Sequence, residues 1–194
     1  NASRVARMKA LHDAVRTVKP DAYMINENLA GVEEENDMAR DQELNWANVN
    51  YASCQFAMGF ESGAGLSRFY APSDGGRLWG STVSYAESHD EERMAYKVKT
   101  YGATGVKGNA PMMMRRLGSV AAQMLLTPGS HMIWQFQELG ADQTTKNSTG
   151  GNDTGNKRVV WSLLNNANNK SLHESYRQLI HLRTLNPTLF AESA

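Results

Sequence analysis

Apolar residues recur every three or four positions through residues 1–19, at Val5, Met8, Leu11, Val15 and Val18, and Pro20 ends the run. That period predicts an amphipathic helix. The pattern then changes. Ala22-Tyr23-Met24-Ile25 is a short, nearly continuous apolar stretch closed by the polar Asn26-Glu27-Asn28, the form expected of a strand buried on both faces of a parallel sheet. Residues 33–43 are acidic and predict a short helix or turn, with Glu33-Glu34-Glu35 read as a solvated face. Leu44 to Tyr51 predicts a second strand, followed by a less regular stretch rich in Gly and Ser up to Gly80. Ser81-Thr82-Val83-Ser84-Tyr85-Ala86 predicts a third, running into Glu87-Ser88-His89-Asp90. After a polar, Gly-containing connection, residues 112–126 predict a helix with Met113, Leu117, Val120 and Met124 on one face, broken by Thr127-Pro128-Gly129. His131 to Phe136 predicts a fourth strand and 140–156 a polar loop. The last helix is expected from Ser171, with Glu174 completing a capping box, to the residue before Pro187; Leu172, Tyr176, Leu179 and Leu182 form its stripe.

Strand followed by helix, with ionisable residues just past the strand ends, is α/β organisation, and in parallel barrels the chemistry sits at those ends. About four such units are present, against eight strands and ~250 residues in a closed barrel; the expectation is half a barrel. With 194 residues, 41% of them hydrophobic, the chain suits one globular domain. Lys plus Arg and Asp plus Glu number 20 each, so charge gives no reason to expect nucleic acid or an anionic membrane as partner. No apolar run approaches the ~20 residues of a membrane helix, and Asn-Ala-Ser-Arg at the start lacks the layout of a signal peptide. The single cysteine, Cys54, rules out an internal disulfide, leaves the compartment unread, and is read as a small buried hydrophobe.

Glu27 and Asp90 stand in equivalent places, each after an apolar strand. If both strands share a sheet, their carboxylates converge on one rim. Such a pair is what cleavage of a glycosidic bond requires: a protonated acid for the leaving oxygen, and negative charge to stabilise an oxocarbenium-like transition state. The alternative is that both are solvated loop residues, because fold alone does not supply function. Among the aromatic residues Trp46, Tyr51, Trp79, Trp134, Phe136 and Trp161, those nearest the fourth strand end, Trp134 and Phe136, are the candidates to hold a sugar ring. His89 with Asp90 could form a metal pair, yet no third or fourth ligand stands nearby at recognisable spacing, so no metal is assigned. His12, His173 and His181 fall on predicted helices as structural or exposed residues, and His131 belongs at the opposite, stability face. Asn152-Asp153-Thr154-Gly155-Asn156 could hold calcium through oxygen ligands, but it lacks ordered carboxylate spacing and reads more strongly as a flexible turn. Asn147-Ser148-Thr149 and Asn152-Asp153-Thr154 match the glycosylation sequon, a triplet common by chance.

The wording of these segments adds to the spacing. Tyr23-Met24-Ile25-Asn26-Glu27 resembles the fifth-strand motif of the α-amylase family, glycoside hydrolase family 13, whose glutamate is the general acid/base. Ala86-Glu87-Ser88-His89-Asp90 resembles its seventh-strand motif, where the histidine binds sugar hydroxyls and the aspartate stabilises the transition state; Ser88 stands where the family usually has Asn. Pro128 to Gly140 is similar to the eighth-strand segment. Lys157-Arg158-Val159-Val160-Trp161 and the helix from Tyr176 to Pro187 are similar to the stretch that closes the barrel. The matches come in family order and cover nearly the whole chain. The resemblance implies that residues 1–194 are a single partial catalytic domain, about strands 5 to 8 of a (β/α)8 barrel, from a longer protein. It implies an α-glucan substrate, Glu27 as acid/base, Asp90 as stabiliser and no cofactor, and it favours a secreted or periplasmic location. The family's nucleophile, an aspartate in a Gly-x-Arg-x-Asp setting, has no counterpart here. The chain alone is therefore expected not to turn over substrate, and to need the N-terminal half of the barrel or a second copy of itself, since an open barrel exposes two sheet edges. A non-catalytic glycan- or protein-binding homologue and an unrelated βα enzyme, such as a phosphate-handling barrel, are the competing readings.

Overall fold

The computed structural model describes residues 2–191. Four short strands, β1 (Ile25–Asn26), β2 (Leu44–Asn48), β3 (Thr82–Tyr85) and β4 (Ser130–Met132), lie side by side in chain order. Every pairing is parallel, with Ile25 opposite Leu44, Trp46 opposite Val83 and Ser84 opposite His131. Helices α1 (Ala2–Val18), α2 (Val32–Arg40), α3 (Asn50–Met58), α4 (Met94–Tyr101), α5 (Ala110–Leu126), α6 (Ala167–Leu185) and α7 (Pro187–Ala191) flank or connect them. Parallel neighbours cannot be joined by a tight hairpin, so each connection crosses over, and the helices it carries supply the second layer.

The first strand is shorter than its apolar run suggested. Only Ile25 and Asn26 pair, and Tyr23 is 80% exposed. β1 has β2 on one edge only among the described residues, and nothing covers Tyr23, so the run is not buried on both faces. In β2 burial alternates: Asn45 and Ala47 are buried, while Leu44, Trp46 and Asn48 are half-buried on the opposite face. Trp46 meets Tyr85 of β3 edge to face at 5.8 Å. The expected continuation of β2 to Tyr51 does not occur. The Asn48 side-chain oxygen accepts the Asn50 N–H at 2.8 Å, and the chain turns there into α3. Gly59, at φ +92°, ends that helix in the left-handed region.

The principal core lies where α3, α4 and α5 meet, around Cys54, Ala57, Met94, Val98, Leu117, Val120 and Met124. Helix α6 adds Leu172 and Tyr176, and the buried Tyr176 hydroxyl accepts from Gln137 Nε2 at 2.8 Å. Helix α6 begins at Ala167, not Ser171: Asn166 accepts the Asn168 N–H at 2.9 Å and caps it. Ser171 therefore lies inside the helix, and Glu174 binds Arg177 instead of closing a capping box. The acidic run of α2 also departs from expectation. Glu34 and Glu35 are 3% and 2% exposed. Glu34 is held by Arg4 Nε at 2.6 Å, and Glu35 accepts the Ala30 N–H at 2.9 Å and pairs with Arg77. A helix rotates each residue ~100° from the last, so three successive glutamates cannot all face water. His12 is buried on α1, and neither ring nitrogen has a hydrogen-bond partner among the described residues. Of the described helices, none is long and apolar enough to cross a membrane.

His131 opens β4. Its Nε2 lies 2.8 Å from the Thr127 carbonyl, an acceptor only, and its Nδ1 lies 2.7 Å from the Ser84 hydroxyl. Nε2 therefore donates and Nδ1 accepts. Burial pushes the imidazole down to about 4.

Candidate active site

Three glutamates anchor the turn that follows β3. Glu87 is buried, takes Arg93 Nη1 at 2.9 Å and accepts the Met94 N–H at 2.7 Å. Arg93 in turn donates to the Gln135 carbonyl at 2.8 Å, tying β3's end to the segment after β4. Burial nevertheless pulls the Glu87 carboxyl above the usual carboxylate range, with Arg93 opposing. Glu91 receives the Ser88 hydroxyl and the Asn48 side-chain amide. Ser88 also accepts the Asp90 N–H at 3.2 Å. Glu92 accepts Thr144 Oγ1 at 2.6 Å and the Thr145 N–H at 2.8 Å, fixing the root of the 140–156 loop. Glu91, Glu92 and Arg93 did not figure in the sequence reading. The available signal was the run of charged residues between a strand end and the next helix.

With both sides of the turn pinned, His89 and Asp90 project outward. Their side chains are 56% and 53% exposed, with Nε2 to Oδ1 at 3.5 Å. Glu27, one residue beyond β1, is exposed too. One oxygen of Glu27, one of Asp90 and a ring nitrogen of His89 all lie within 4.8 Å of one another. The two carboxylates inferred from strand-end position do share one rim. Their combined charge reaches Tyr85: burial, Glu91 and then Glu27 and Asp90 push its phenol up to about 12, against a hydrogen bond from Ser88.

Trp134 closes the other side, its ring 6.1 Å from that of His89 and its Nε1 without a hydrogen-bond partner among the described residues. His89, Asp90, Trp134, Gln135 and the strap Asn152–Lys157 enclose a cleft of about 550 Å³. Phe136, the second aromatic candidate, is placed otherwise. Its backbone is left-handed at φ +63°, and its ring turns inward to meet Trp161 at 5.0 Å beside Leu139 and Val160. In the strap, Asn152 Oδ1 is taken by Lys146, and Asp153 Oδ1 accepts the Gly155 N–H at 2.9 Å. Two of the oxygens considered for calcium, Asn152 Oδ1 and Asp153 Oδ1, thus accept from the loop's own donors.

No family model and no curated protein matches the sequence. Solved structures do match the fold. The α-amylase from H. orenii superposes with a TM-score of 0.63 at 16% identity, over 99% of this chain and 42% of its own. Amy13B from Eubacterium rectale gives 0.66 at 16% over 99% and 41%. A Paenibacillus barengoltzii pullulanase, solved with maltohexaose and α-cyclodextrin, gives 0.64 at 18% over 95% and 32%. The fold is that of part of an α-amylase-type (β/α)8 barrel. The chain spans between 32% and 42% of the length of these solved chains, and the convergence of Glu27, His89 and Asp90 falls at the C-terminal ends of its parallel strands, the side on which such barrels carry their chemistry.

Proposed function

We propose that these residues form one side of the active site of a retaining α-glucan-cleaving or transferring enzyme of the α-amylase family. The observation that carries the reading is the meeting of Glu27 and Asp90 on one rim, within 4.8 Å, beside an exposed histidine. A retaining mechanism needs a nucleophile besides the acid/base, and the reading gives that role to neither Glu27 nor Asp90. In this reading Glu27 protonates the leaving glycosidic oxygen, then takes a proton from the incoming water or sugar hydroxyl. Asp90 holds negative charge beside the developing oxocarbenium ion, where a fixed charge needs no reorganisation. His89 bonds a sugar hydroxyl, and Trp134 lends a ring face.

The reading assigns the nucleophile to an aspartate outside these 194 residues, on a strand that completes the barrel beside β1. Without it the sugar has no group to capture it, so the chain alone binds glucan and does not cleave it. In the parent polypeptide, Glu27→Gln is expected to lower kcat on a chromogenic maltoside by about 10²–10⁴-fold, while the purified 194-residue chain gives none. Turnover by the isolated chain, or a parent enzyme indifferent to Glu27→Gln, would overturn this. A parent sequence without a Gly-x-Arg-x-Asp segment would favour a non-catalytic binding protein of the same fold.

A further inference from the structure

The sequence offered His89 and Asp90 as two metal-binding groups with no third. The fold supplies the third from a distant part of the chain, since Glu27 brings a carboxylate within 4.8 Å of both. The resulting set is mixed, one imidazole nitrogen and two carboxylates from two strand ends. Geometry can be compared directly. Two ligands of one tetrahedral zinc ion, each about 2.0–2.1 Å from it, stand about 3.4 Å apart. His89 Nε2 and Asp90 Oδ1 are 3.5 Å apart. That pair already has the spacing of two corners of a zinc polyhedron, and a Glu27 oxygen as far as 4.8 Å from both completes a third by moving about 1.6 Å. Among the described residues no hydrogen bond or ion pair occupies the Glu27 carboxylate, so the movement breaks nothing.

Charge points the same way. Bound to a metal in deprotonated form, two carboxylates and an imidazole bring two negative charges, which a divalent cation balances. A nitrogen donor with only three protein ligands suits zinc, copper or nickel; calcium and magnesium prefer more numerous oxygen ligands. The cleft in front of His89 and Asp90 leaves room for water at the remaining positions. We infer that Glu27, His89 and Asp90 form a three-ligand site for a zinc-class divalent cation, open toward the cleft. The inference rests on the same convergence as the proposed catalytic site but on no catalytic role. If both hold, bound zinc keeps Glu27 and Asp90 away from the sugar and inhibits the parent enzyme in competition with substrate.

The test is calorimetric titration of zinc chloride into the purified 194-residue chain in a chelator-free buffer. One zinc per chain is expected, with a Kd in about the micromolar range, and calcium should give no binding heat at the same concentration. His89→Ala and Glu27→Gln should each weaken binding by roughly tenfold or more. His181→Ala, at an exposed position of α6, should not, and far-UV circular dichroism should show all variants folded. Imidazole 1H–15N spectra should place the zinc-dependent shift on the His89 ring. Binding that survives His89→Ala, binding shared equally with calcium, or none up to millimolar zinc would overturn the site. The two proposals fail separately. Zinc binding without Glu27-dependent hydrolysis supports the metal site against the catalytic reading, and hydrolysis without zinc binding does the reverse.

Discussion

Replacing Glu87 with glutamine isolates the contribution of the ion pair that holds the turn carrying His89 and Asp90 in place. The side chains of Glu87 and Arg93 are 4% and 5% exposed and meet at 2.9 Å. Glutamine keeps the carboxylate's shape, and its oxygen still accepts the Met94 N–H that Glu87 takes at 2.7 Å. What it loses is the charge: an amide donor now faces a guanidinium that has only the Gln135 carbonyl left as a described acceptor. Removing one member of a buried pair costs roughly 3–5 kcal/mol, chiefly because the other charge stays buried without compensation. With the Met94 bond retained, the lower end applies, about 3 kcal/mol. For a chain of this size each kcal/mol lowers Tm by about 2–4 °C, so a fall of about 6–12 °C is expected. The assay is urea unfolding followed by tryptophan fluorescence at fixed salt, repeated for Arg93→Met and for the double variant. A buried pair predicts a double variant more stable than the sum of the single losses. A loss under ~1 kcal/mol for Glu87→Gln, or single losses that simply add, would refute the reasoning.

Acid should weaken the native state through His131. Its folded value of about 4 lies below the ordinary 6.5, so the unfolded chain takes the proton first. Its contribution is complete above about 6.5 and is lost as pH falls from there through about 4, by up to ~3 kcal/mol. Wild type should therefore lose more Tm between pH 7.5 and 4.5 than His131→Asn, and equal slopes would contradict this. Leu117→Ala, in the core at 2% exposure, should cost about 2–5 kcal/mol, read from the urea midpoint. Glu92→Ala should release Thr144 and Thr145 and speed limited proteolysis within residues 143–157 while leaving helix content intact by circular dichroism.

The hydrophobic pattern by itself determined the αβ alternation, α1, α5 and most of α6, because a helix or buried strand must present apolar residues at its own period. It also marked Glu27 and Asp90, since polar residues closing an apolar run lie where a buried strand meets solvent. Helices α3 and α4 escaped it. They are short, and α3 is rich in small and polar residues such as Asn50, Ala52, Ser53 and Cys54, so their burial comes from α5 and not from their own pattern. The same limit explains Glu34 and Glu35, whose partners Arg4 and Arg77 stand far off in sequence. Phe136 and Trp134, two residues apart on one stretch, went to opposite sides because a left-handed backbone at Phe136 reverses the alternation a strand would keep. Only the tertiary structure decided that His89 and Asp90 have a third group beside them. Parallel pairing of β1 and β3 on either side of β2 sets both strand ends on one edge, and a meeting across that edge depends on sheet order, which local sequence period does not encode.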